Sequence, residues 1–291
     1  MKRALLIATC ACWALPANAQ DDGELRLAPT SVWAVNYADD SCELARTFGT
    51  GDQEVTLFFR ANSPGGRFLI SAFGKPLEVT QPVTRIFVNL GGEEQLQAAF
   101  FALRNPDGLP GLQGLQLLSV GPIPNPRETE ARIGLPGVLA VDPANERRVN
   151  YVALQSVLAR DIVFETGSMG EPLAALRACT EELVSHWGVD VEKQRTLSSR
   201  ASPLSNPQTW IRSTDYPGRT RRNGFVNYRL IVDEKGDVAE CAIQGATQPA
   251  AFADIACSRL ERRAEFSPAL DAAGQPIRSY HVGSVIFLFP G

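Results

Sequence analysis

Two hydropathy patterns divide the chain. From about residue 28 to 188, short apolar runs are punctuated by Gly, Pro, Asn and Asp about every ten residues, the spacing of sandwich or barrel strands. The runs that fit a strand are SVWAVNY, EVTLFFR, RFLISAF, TRIFVNL, QAAFFAL and LQGLQLLSV. NSPGG and NPDG supply turn residues between them. The stretch from 104 to 147 is rich in Gly and Pro, and its pattern orders no elements. Next, GSMGEPLAALRACTEELVSHWG changes period. Leu173, Leu176, Leu183, Val184 and Trp187 recur at helical spacing, Pro172 and Glu171 suit the first turn, and Gly188 suits the stop.

The second pattern follows a polar stretch over residues 189–209, beginning VDVEKQRTLSSRASPLSNPQ, which reads as a linker. In GFVNYRLIV, Val226, Tyr228, Leu230 and Val232 share one face, opposed to Asn227 and Arg229. DEKG predicts a turn with Gly236 at positive φ, and DVAECAIQ predicts the return strand. From Pro249 a helix is expected, with Phe252, Ile255, Ala256 and Leu260 on one side. Arg259, Arg262 and Arg263 fall in its last turns, where the helix dipole favours cations. A loop and the strand YHVGSVIFLFP complete the chain.

The first residues change the compartment. Lys2 and Arg3 precede an uncharged run from Ala4 to Leu15, Pro16 breaks it, and Ala17-Asn18-Ala19 is a signal-peptidase pattern. We therefore expect a signal peptide over 1–19, cleavage between Ala19 and Gln20, and a periplasmic protein without a stable membrane span after cleavage. The mature chain of about 270 residues would carry 26 basic residues (28 less Lys2 and Arg3) against 32 acidic, a net charge of −6. An acidic chain with no basic stripe offers nothing to nucleic acid.

Four cysteines lie beyond the signal: Cys42, Cys179, Cys241 and Cys257. An even number in an exported chain reads as disulfides. Metal ligation would need close C-x-x-C or His partners, which do not occur, so no metal site is expected. Cys241 on a strand and Cys257 on the helix covering it suit a structural staple. Cys42–Cys179 would tie the long helix to an early strand, and buried thiols are the alternative.

No catalytic set emerges. His186 and His281 lie in different units. TGSMG lacks the first glycine of a nucleophile elbow, with Thr166 in its place. The LGG at 90–92 leads to no phosphate-binding lysine. Asp39-Asp40, Glu93-Glu94 and Glu181-Glu182 are adjacent and diverge. We expect no catalytic residues and no cofactor. Arg219, Arg221 and Arg222 form a basic knot before the first strand of the second unit, readable as a solvated face or as a contact for an acidic partner. Phe225 and Ile231 face away from the helix-covered side of that strand, and the sequence leaves open whether they are exposed or covered.

Tyr216-Pro217, the hairpin GFVNYRLIVDEKGDVAEC, the helix, the F-x-P-A of Phe266 to Ala269, Gly274-x-Pro276 and the terminal apolar strand together resemble a TonB C-terminal domain, over about 80 of 291 residues. The cysteine pair and LRACTEELVSHWG are similar to an exported variant found in some Gram-negative bacteria. The resemblance implies a module that holds a partner peptide or protein by strand addition, in the family the periplasmic box of an outer-membrane transporter. The pairing edge it implies is the last strand, with Ser279, His281, Gly283, Val285 and Phe287 as candidate partner-binding positions. Two other readings stand beside it: an anchored component of a TonB-type energy-transducing system, and an enzyme, such as a hydrolase, with its site in the first unit. The expected fold class is α+β. A mostly-β N-terminal domain (20–188) ends in one helix. After the linker (189–209) comes a small TonB-C-like domain (210–291), strand-strand-helix-strand, an antiparallel sheet with one covering helix.

Overall fold

The computed structural model describes residues 23–92, 95–115, 118–120, 141–155, 158–247 and 249–289. The expected signal peptide and its cleavage point lie outside them, as does Glu93-Glu94. Among the described residues no helix is long and apolar enough to cross a membrane.

The first half forms strands β1 (Leu25–Leu27), β2 (Ala34–Tyr37), β3 (Cys42–Phe48), β4 (Val55–Ala61), β5 (Arg67–Phe73), β6 (Val83–Asn89), β7 (Gln95–Arg104), β8 (Pro110–Gly114), β9 (Leu118–Ser119), β10 (Val152–Gln155) and β11 (Ile162–Phe164). They make one eleven-stranded mixed sheet, ordered β1-β11-β10-β6-β7-β8-β5-β4-β3-β2, with β9 on β5. All neighbours are antiparallel except β1 and β11. The stretch from β1 to β2 pairs with β11 on one side and β3 on the other. Past β1, Pro29 bridges Phe48 and the Thr30 N–H donates to Thr47 O (2.9 Å). The sheet thereby closes on itself, and its inward positions fill with side chains from nearly every strand, among them Leu27, Leu44, Phe59, Ile86, Phe100 and Phe164.

Among the described residues four helices accompany the sheet: α1 (Pro143–Arg148), α2 (Gly170–Ser185), α3 (Val191–Arg195) and α4 (Ala251–Arg263). Helix α2 lies against β2, β3 and β4 and puts Leu173, Leu176, Leu183 and Val184 into the core of the curled sheet. Cys179 on α2 is bonded to Cys42 at the start of β3, with Cα atoms 6.0 Å apart. Glu146 of α1 is buried and pairs with Arg177 of α2.

The second half forms β12 (Ser202–Pro203), β13 (Gly224–Val232), β14 (Val238–Ala246), β15 (Phe266–Ser267), β16 (Ala269–Leu270), β17 (Pro276–Ile277) and β18 (Ser279–Phe287). Three of these make an antiparallel sheet ordered β14-β13-β18. The turn from β13 to β14 closes at Gly236, φ +93°, where a Cβ would stand 1.9 Å from Phe266 O, so only glycine fits. Helix α4 covers one face with Phe252, Ala256 and Leu260. Cys257 on α4 is bonded to Cys241 on β14, Cα atoms 5.6 Å apart.

The α+β expectation, a β domain ending in one helix followed by a small separate domain of the TonB C-terminal kind, is overturned. The described chain is mostly β and is dominated by the eleven-stranded sheet, with four helices spread along it. The reading failed because the large sheet recruits strands from both sides of the Gly- and Pro-rich stretch. β10 and β11, of four and three residues, are too short to show a period. Residues 189–209, read as a linker, hold α3 and β12. Leu197 and Ala201 are buried with Trp210 beneath α4, and β12 pairs with β15.

The two halves pack closely. Every residue of β13 is buried, on both faces. Ile231 joins the core of the curled sheet, and Phe225 packs with Leu69 and Leu115 on its outside. Arg229, read as part of a polar face, is buried between Asp40 (2.5 Å) and Glu240 (3.1 Å), its guanidinium 4.6 Å from the Trp187 ring centre. A bulge in β14 at Gln244 aims that side chain across the boundary, where Nε2 donates to Asn62 O (2.7 Å) and Asp40 O (2.9 Å).

Candidate functional site: the outer edge of the last strand

β18 pairs with β13 over its whole length, from Gly224↔Phe287 to Val232↔Ser279. Its other side meets no strand among the described residues. Which backbone groups face outward follows from the ladder. Phe225 O accepts from Thr247 N–H (2.9 Å), so Phe225 faces the β14 side. In antiparallel sheets this direction alternates residue by residue, so Gly224, Val226, Tyr228, Leu230 and Val232 face β18. Their partners Phe287, Val285, Gly283, His281 and Ser279 therefore point inward. The outward N–H and C=O groups belong to Tyr280, Val282, Ser284 and Ile286. Two flanking bonds agree: the Phe289 N–H turns inward to Asn223 Oδ1 (2.8 Å), and Arg278 O turns outward to Gln194 Nε2 (2.9 Å).

On the strand that the sequence put forward, the five named positions are those whose backbone faces β13 and not the outer edge. Ser279, His281, Gly283, Val285 and Phe287 present backbone to β13 and side chains to the α4 side. Phe287 packs on Phe252, ring centres 5.1 Å apart, and Val285 lies against the same core. A Cβ on Gly283 would stand 2.4 Å from the Tyr228 hydroxyl. Ser279 is buried, and its Oγ donates to Gln194 Oε1 (2.6 Å). The even-numbered positions were legible only from the position of the last strand relative to its neighbour, which hydropathy does not carry.

His281 lies among Phe266, Trp210 and Tyr228, with ring centres 5.0, 6.2 and 6.4 Å away. Burial pushes its pKa down to about 4. The folded state therefore holds it neutral while the unfolded chain protonates it below its ordinary value near 6.5. Stability falls as pH drops from about 6.5 towards 4, by about 3 kcal/mol in all. Thermal midpoints of wild type and His281→Phe across this window test it: the variant is expected to show the shallower slope.

The edge is capped at one end and open at the other. Gln194, on α3, occupies the Ser279 end, and Tyr280 beside it packs edge-on against Trp187 at 4.9 Å. Toward the other end Ser284 is exposed, and so are the apolar Ile286 (45%), Leu288 (61%) and Phe289 (40%). These three are among only seven large hydrophobic residues exposed on the described chain, so they form a concentration rather than scatter.

Among the described residues no group of three His, Cys, Asp or Glu side chains is placed to hold a metal ion. Comparison with family models, with curated proteins and with solved structures finds no match.

Proposed function

We propose that the protein is a binding module that accepts an extended segment of a partner on the outer edge of β18. One observation carries this reading: the outward backbone groups of Tyr280, Val282, Ser284 and Ile286 have no backbone partner among the described residues, beside the exposed Ile286, Leu288 and Phe289. An unpaired edge next to apolar side chains supplies main-chain hydrogen bonds for affinity and an apolar contact for register. The two disulfides and the absence of a membrane-crossing helix among the described residues fit an exported protein, and the periplasm is the compartment we propose. The resemblance of residues 210–291 to the TonB C-terminal family makes a transporter's periplasmic segment the first partner to test.

Proline at the edge separates pairing from folding. Ile286→Pro removes an outward N–H and should leave the β13 ladder and the thermal midpoint nearly intact while weakening peptide binding at least tenfold. Val285→Pro removes an inward N–H and should destabilise the fold by about 3 kcal/mol. Calorimetric titration of the full-length variants with the transporter peptide measures both effects. Unchanged binding by a folded Ile286→Pro protein contradicts edge pairing.

A further inference from the structure

A second site lies apart from the β18 edge, where the outside of the curled sheet meets the beginning of β13 and the end of β14. A cleft of about 700 Å³ opens there, a size suited to a small ligand or a few residues of peptide. Its floor includes one transverse row of the sheet, in which Phe58, Ser71, Gln113 and Phe101 are successive register partners across β4, β5, β8 and β7. Outward positions on a water-facing sheet are normally polar. Here Phe58, Phe73 and Phe101 stand half-exposed around the cleft, and Phe225 closes it from β13. Gly111 makes room for this surface, since a Cβ there would stand 2.3 Å from the Phe73 ring.

The floor also holds unused hydrogen-bonding capacity. Ser71 is 3% exposed, and its hydroxyl has no partner among the described residues. Gln113 is 9% exposed; its Nε2 donates to Gly114 O (3.2 Å), and its Oε1 accepts from nothing described. Both side chains line the cleft, so a donor and an acceptor on one floor are available there to a polar ligand. Charge narrows the choice. Arg60 is paired with Glu43 (2.6 Å) and Arg104 with Glu78 (2.7 Å). Arg222, at the rim, has no acidic partner among the described residues, which leaves one uncompensated positive charge.

We propose that this cleft binds the carboxyl end of a peptide that finishes in a bulky apolar residue. The terminal carboxylate is a monoanion suited to Arg222 and the Ser71 hydroxyl, the last amide N–H is the donor that Gln113 Oε1 lacks, and the terminal side chain enters the phenylalanine-lined space. The basic knot singled out in the sequence thereby acquires a role for one of its members.

The test is nuclear magnetic resonance titration of the full-length protein with acetyl-Ala-Ala-Ala-Phe, as the free acid and as the carboxamide. The acid should move the Gln113 side-chain amide and the Ser71 backbone amide and leave residues 280–286 unmoved. The carboxamide should bind at least tenfold more weakly, and Arg222→Ala should weaken the acid by a similar factor. Equal affinity of acid and carboxamide, an unaffected Arg222→Ala protein, or shifts confined to other surfaces would overturn the proposal. Shifts at 280–286 alone would do so while supporting the β18 edge, so the two sites fail independently.

Discussion

Replacing Cys42 and Cys179 together by alanine is expected to lower the stability of the full chain by about 5 kcal/mol. The bond spans 137 residues, and a cross-link that closes so long a loop removes the most entropy from the unfolded chain. Both sulfurs are buried, Cys42 at 1% and Cys179 at 0% exposure, so their alanine replacements also leave a small void between α2 and β3. The same replacement at Cys241 and Cys257, sixteen residues apart, is expected to cost about 3 kcal/mol. Urea unfolding of the two double variants gives the order directly. A larger loss from the shorter loop would show that local strain or packing, and not chain entropy, sets the contribution of these bonds.

Asp215→Ala is expected to cost about 3 kcal/mol, because it strands two arginines that share one buried carboxylate. Asp215 Oδ1 accepts from Arg259 Nε (2.6 Å) and Arg263 Nη2 (3.1 Å), and Oδ2 accepts from Arg263 Nη1 (2.6 Å) and the Arg212 N–H (2.8 Å). The carboxylate is buried while both guanidinium groups keep some contact with water, which holds the loss near the lower end for a broken buried pair. Arg263, foremost among these partners, holds the Asp215 carboxyl well below the ordinary carboxylate range. A depressed pKa stabilises the fold above the unfolded value near 4, and that contribution is lost as pH falls through the folded value. The variant should therefore lose stability at neutral pH and show a shallower decline in strong acid, measured by urea unfolding from pH 7 to pH 2. Parallel curves for the two proteins would contradict the pairing.

Much of this architecture was legible because it is local. EVTLFFR and RFLISAF announce β4 and β5 as short apolar runs bounded by turn residues, LAALRACTEELV announces α2 by period 3.6, and DEKG with its flanking strands announces the β13–β14 hairpin. The cysteine count and the exported context pointed to the staples. Non-local features stayed hidden. Arg229 and Asn227 alternate with Tyr228 and Leu230 as a solvated face would, yet they are buried at 5% and 1% because a second sheet covers them. No local pattern records that a partner surface lies elsewhere in the chain. The same holds for the cleft floor, where Ser71 and Gln113 are 42 positions apart in sequence and adjacent in register. The five site positions on β18 differ by one residue from the outward-facing set for a related reason, since inward and outward backbone groups are assigned by the neighbouring strand.

Amide hydrogen exchange along β18 in the full-length protein tests the central claim most directly. With the outer edge unpaired, the N–H groups of Tyr280, Val282, Ser284 and Ile286 should exchange much faster than those of His281, Gly283, Val285 and Phe287, and a bound partner segment should slow the first set alone. Uniformly slow exchange along the whole strand in the unliganded protein would mean that the edge is already paired, and no room would remain for a guest strand.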